Sequence, residues 1–133
     1  MKKLEQNSLR VMAIIDDLKH QLAEIFQNYI FDYNFKIITL CGSTRFKDEF
    51  LAEHKRLTLE GNIVISVGLF GHSGDDEVWT DNIKEMLDEM HKRKIDLADE
   101  IFVINKDGYI GESTKSEIKY AEKEEKVVKY MEE

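Results

Sequence analysis

A chain of 133 residues with 42% hydrophobic and 35% charged content is sized for one domain with its own core, with room for one appended element. Its net charge of −8 argues against a nucleic-acid partner, which would normally leave a basic face. No apolar run approaches the roughly 20 residues of a membrane span, so no membrane partner is expected. Asp16, Asp17 and Lys19 break up the N-terminal apolar residues, which therefore do not form a signal-peptide core. Cys41 is the only cysteine, which excludes an internal disulfide or a cysteine metal cluster and suits a reducing, cytoplasmic setting.

Residues from about Lys3 to Tyr29 predict a single helix. Val11, Ile15, Leu18, Leu22, Ile25 and Tyr29 alternate steps of four and three, the seam of a heptad pattern, and Ile14 and Phe26 widen it. About three heptads make a marginal isolated coiled coil, so the helix either packs on its own domain or joins copies of the chain. Residues 1–33 are read as an added helical extension and 34–133 as the core α/β domain.

Ile37 to Cys41 is an apolar run of strand formers, too continuous for a strand with one wet face. Gly42-Ser43-Thr44-Arg45 follows, then a helix from about Phe46 to Leu59 with Gly61 as its stop. His54 sits near the apolar face of that helix and is read as packed rather than ligating. Ile63 to Val67 predicts a second strand, and the loop Gly68 to Asp76, with Gly71 and His72, has the composition of a pocket wall. A third helix starts near Thr80 or Asp81 and runs to about Leu97, with Ile83, Met86 or Leu87, Met90 and Leu97 as its core face. Met86 and Met90 read as core filler. Strand three is Ile101 to Ile104, a helix follows from about Ser113 to Glu125, and Val127-Val128 predicts a short last strand. This alternation of strands and helices predicts a parallel sheet of four to five strands covered on both faces. Its ligand site would lie beyond the carboxyl ends of the strands, where three loops converge: Gly42 to Arg45, Gly68 to Asp76, and Asn105 to Ser113.

The first of those loops and the helix start that follows the third hold the chemistry. Gly42-Ser43-Thr44-Arg45 could bind an anion through backbone N–H groups and the Arg45 guanidinium, or could be a plain strand-to-helix turn capped by Ser43. Thr114-Lys115-Ser116-Glu117 fits a capping box. The same placement in a first helical turn would favour a Glu117 carboxylate suited to an oxocarbenium-like sugar carbon. Glu112 reads as a loop acid or a ligand contact. Asp96 could pair with Arg93, Asp99 reads as a turn residue, and His91 is a titrating candidate. Trp79 and Phe70 could stack on a base or pack internally. No His/Asp/Glu spacing resembles a zinc site, and no Ser-His-Asp assignment is compelling.

The strand before Gly42 to Arg45, then Leu97-Ala98-Asp99-Glu100-Ile101, then Gly111 to Glu117 with Ile118-Lys119-Tyr120-Ala121 together resemble the nucleoside 2-deoxyribosyltransferase superfamily. The first loop is most similar to its nucleoside 5′-monophosphate N-glycosidase branch. The resemblance covers roughly Lys36 to the C-terminus. It implies a flavodoxin-like, Rossmann-like fold and cleavage or exchange of the bond between base and sugar. It also implies Glu117 as nucleophile, Gly42, Ser43, Thr44 and Arg45 around a 5′-phosphate, and Ser113 near that phosphate. Gly71, His72 and Gly111 complete the expected substrate-binding set. The family's helix aspartate falls on His91, which could protonate the departing base or mark a branch that only binds nucleotides. No metal or organic cofactor is required. The resemblance further implies a homo-oligomer, a dimer or higher, with sites completed by a neighbouring subunit. The function expected is therefore cleavage or transfer at the N-glycosidic bond of a (deoxy)nucleoside or its 5′-monophosphate. The alternative is a non-catalytic nucleotide-binding module on the same fold.

Overall fold

In the computed structural model of the chain, residues 2–31, 34–74 and 80–133 are described, the side chains of 28–31 and 81 excepted. Four strands, β1 (Ile37–Gly42), β2 (Ile63–Ile65), β3 (Glu100–Ile104) and β4 (Val127–Tyr130), form an all-parallel sheet in the order β2-β1-β3-β4. The expected α/β architecture is present, at the four-strand end of the predicted range. Period-2 alternation assigns the layers. Ile38 and Leu40 of β1, with Phe102 and Ile104 of β3, face a cluster completed by Phe50 and Leu57 of α2 (Lys47–Leu59). Cys41, Ile101 and Val103 face the opposite cluster, with Ile95 of α3 (Asp81–Leu97) and Ile118 and Ala121 of α4 (Glu112–Lys123). Because β1 and β3 are buried on both faces, their sequences lack a polar alternation.

The chain divides into two compact units, Met1–Asn34 and Phe35–Glu133. The first is one unbroken helix, α1 (Lys2–Phe31). Several predicted boundaries shift in the second. Strand β2 ends at Ile65 instead of Val67, and β4 extends past Val128 to Tyr130. Helix α2 closes as expected: Gly61 takes φ 93°, its N–H reaches Thr58 O, and Asn62 N–H reaches Leu57 O. On α3 the predicted core face is corrected in part: Ile83 and Leu87 are half-buried, whereas Met86, Met90 and Leu97 are exposed by 52%, 43% and 66%. That helix packs on the sheet through His91, Ile95 and, just beyond its end, Ala98 instead. His54 is half-buried, as read from the sequence.

The order places β2 on one side of β1 and β3 on the other, so the crossover direction reverses between β1 and β3 and opens a crevice at their carboxyl ends. Gly42, paired in register with Ile104, sits at that point. A Cβ there would lie 2.8 Å from the Ile104 carbonyl oxygen, and φ is 152°. Gly42→Ala should therefore push apart the two strands that carry the site, at a cost of about 1–3 kcal/mol. Urea unfolding measures this, and an unchanged midpoint would contradict the close approach.

Candidate functional site

The loop after β1 is organised around the backbone carbonyl and hydroxyl of Ser43. Ser43 O accepts the Phe46 N–H at 3.0 Å, and Ser43 Oγ accepts from Arg45 Nε at 3.1 Å. The N-cap of α2 is Phe46, so Ser43 does not cap that helix. The Arg45 guanidinium lies 4.2 Å from the centroid of the Tyr109 ring, which also meets Phe46 edge-on. Arg45 is thus steered by a hydroxyl and an aromatic face. The second loop is tied to the first. His72 Nδ1 is 2.6 Å from Thr44 Oγ1, and Ser73 Oγ donates to Thr44 O at 2.6 Å. The third loop is anchored by the chain end: Asn105 Nδ2 donates to Glu132 O and Asn105 Oδ1 accepts from Glu132 N, both at 2.8 Å.

The start of α4 departs from the predicted capping box. The N-cap is Gly111, which offers no side chain, and Glu112 opens the helix. Thr114 is 2% exposed and lies inside the helix, so it cannot serve as the cap partner of Glu117. Glu117 therefore falls in the second turn, beyond the reach of the first-turn dipole effect invoked from sequence. Its Oε2 is buried and, among the described residues, accepts no hydrogen bond. A buried carboxylate oxygen without a hydrogen bond is costly and calls for an explanation, such as a catalytic role or a bound ion.

Helix α3 brings a histidine to that oxygen. Thr39 Oγ1, fully buried on β1, donates to Lys94 O at 2.8 Å and fixes the helix over the strand. Lys94 Nζ donates to Ser66 O at 2.8 Å, and burial lowers its pKa. One turn earlier, His91 is 8% exposed, with Nε2 at 3.5 Å from Glu117 Oε2 and 3.3 Å from Cys41 Sγ. Burial, then the nearby Glu117 carboxylate, pushes the Cys41 thiol well above its ordinary range.

These elements enclose one cavity of about 580 Å³. Gly42, Ser43, Thr44 and Arg45 line it from the first loop, Gly71 and His72 from the second, and Gly111, Ser113 and Glu117 from the start of α4. His91 lines it from α3. All the predicted site residues thus meet in one space. Glu112 is also at the lining, with Lys115 3.1 Å from its carboxylate. Sequence reasoning missed Tyr109, Lys84, Asp88 and Lys94 as lining residues, and Cys41 as the thiol behind His91. Lys84 and Asp88, an ion pair at 2.9 Å, share a helix face with His91, so helical spacing was the available signal. Met90, read as core filler, lines the cavity. Phe70 is buried edge-on against Phe50 and so packs in the core, while Trp79 lies outside the described residues.

A raised thiol pKa leaves little thiolate at pH 8, and burial blocks access. Cys41 in the folded chain should therefore react with iodoacetamide on the order of 100-fold more slowly than free cysteine. Mass spectrometry over time reads this directly, because no other thiol is present; a rate within about threefold of free cysteine would contradict the burial. Comparison with protein-family models, curated proteins and solved structures finds no match to this chain.

Proposed function

We propose that the chain acts at the N-glycosidic bond of a (deoxy)nucleoside 5′-monophosphate, the reaction that its sequence resemblance implies. The observation that supports this reading is the shared cavity, which an anion-suited loop and Glu117 both line, with one Glu117 oxygen buried and without a hydrogen-bond partner beside it. Its volume is within the range of small-ligand sites. In this reading the 5′-phosphate rests on the Gly42 to Arg45 loop, held by backbone N–H groups and the guanidinium. A Glu117 oxygen bonds to C1′ as the bond from C1′ to the base nitrogen breaks. The electron pair leaves with the base, which takes up a proton from His91 or His72. Water, or a second base, then resolves the sugar ester and returns the carboxylate.

The second reading, a nucleotide-binding module without turnover, is favoured by His91. It stands where the family resemblance implies an aspartate, and its ring is held against the Cys41 thiol.

Incubating the chain with a panel of nucleosides and 5′-monophosphates and measuring free base separates the two. Release of base is expected, and Glu117→Gln should reduce it on the order of 10³-fold or more. Arg45→Ala should raise KM about tenfold or more for a monophosphate and leave the nucleoside unaffected, as expected for a lost charge-assisted bond. No release from any substrate, or unchanged release in Glu117→Gln, overturns the catalytic reading. Thermal stabilisation by nucleotide without turnover, retained in Glu117→Gln, would support the binding module.

We also propose that α1 joins copies of the chain, since one helix cannot bury its own heptad seam. Removing residues 1–34 should lower the oligomeric mass measured by light scattering, and an unchanged mass would remove α1 from assembly.

A further inference from the structure

We propose that Cys41, His91 and Glu117 form a binding site for a thiophilic divalent ion, zinc foremost, at the floor of the cavity. A sulfur, an imidazole nitrogen and a carboxylate oxygen converge there, all within 4.8 Å of one another. The distance from Cys41 Sγ to His91 Nε2 is 3.3 Å, and from His91 Nε2 to Glu117 Oε2 is 3.5 Å. Ligand atoms at the edges of a zinc tetrahedron, from ordinary Zn–S, Zn–N and Zn–O bond lengths, are about 3.3–3.6 Å apart. These two edges already have those lengths; the third, from Cys41 Sγ to the Glu117 carboxylate, lies within 4.8 Å, so an ion would draw that pair together.

The Glu117 oxygen in this triangle is the buried one without a hydrogen-bond partner, which a metal ion would satisfy. Three mixed protein ligands leave the fourth position for water or a ligand atom, the open arrangement of non-structural zinc sites. His91 and Glu117 both line the cavity, so the ion has a route in from it. On binding, the Cys41 thiol gives its proton to solvent and bonds as thiolate, so metal affinity falls as pH falls. The sequence hides the site because its donors come from a strand and two helices with no short ligand spacing. One consequence rests on the glycosidic reading, whereas the site itself does not: an ion holding Glu117 withdraws it from a sugar carbon, so zinc would inhibit turnover.

The test uses the full chain after treatment with EDTA, titrated with cobalt(II) and with zinc. One equivalent of cobalt should produce an intense near-ultraviolet thiolate-to-metal band, which can come only from Cys41, the chain's single cysteine. Zinc should displace it. His91→Ala and Glu117→Gln should each weaken zinc binding at least about tenfold while keeping the far-ultraviolet circular dichroism of the parent. Absence of the band in the parent chain overturns the proposal without recourse to any variant. Zinc affinity unchanged in both variants overturns it as well. Neither outcome bears on base release, which is measured with EDTA present.

Discussion

The pairing of β1 with β3 is the constraint on which the site depends, and it is pinned at both ends. At the amino end, Asp99 Oδ2 accepts the Ile37 N–H and Asp99 N–H donates to Ile37 O, both at 2.8 Å. Nearby, the buried Glu100 lies 3.4 Å from Lys36 Nζ and 3.3 Å from Lys129 Nζ, which joins β3 to its neighbours on both sides. At the carboxyl end, Gly42 permits a backbone approach to Ile104 that any side chain would block. Between these pins the register is fixed, and a one-residue slip would exchange the two apolar faces. The loops that leave β1 and β3 therefore start side by side, which is how the Gly42 to Arg45 loop and the start of α4 come to share a cavity.

Polar groups inside the sheet layer then set what the cavity can do. Thr39 and Cys41 both face α3; the first holds the helix through Lys94 O, and the second meets the His91 ring. A core built for stability alone would fill these positions with apolar side chains, because a buried polar cluster with one oxygen unsatisfied costs free energy. Retaining Cys41, His91 and Glu117 together is consistent with a site that needs a carboxylate kept out of bulk water. The proposed attack on a sugar carbon and the proposed metal site would both use this carboxylate, and so would compete for it.

Much of this was legible in the sequence for identifiable reasons. The runs Ile37 to Cys41 and Ile101 to Ile104 lack polar alternation, which is the mark of a strand covered on both faces, and the alternation of strands and helices then leaves a parallel sheet. The loop residues converge because topology forces them to the carboxyl edge. The errors are local. Thr114 has the right chemistry for a cap, but tertiary burial claims it and leaves Gly111 to start the helix, which moves Glu117 by nearly a turn. Met86 and Leu97 fit a helical stripe, yet α3 meets the sheet through His91 and Ile95, since the rotation of a helix on a sheet is set by packing that spacing does not encode. The Cys41 to His91 contact was hidden for the same reason.

The central claim is that the Gly42 to Arg45 loop and the start of α4 form a single nucleotide site. Backbone amide NMR of Glu117→Gln titrated with a nucleoside 5′-monophosphate addresses it most directly. The account predicts that the resonances of Ser43, Thr44 and Arg45 and those of Glu112, Ser113 and Thr114 shift together and saturate at the same ligand concentration. Shifts confined to one of the two segments, or to neither, would contradict it.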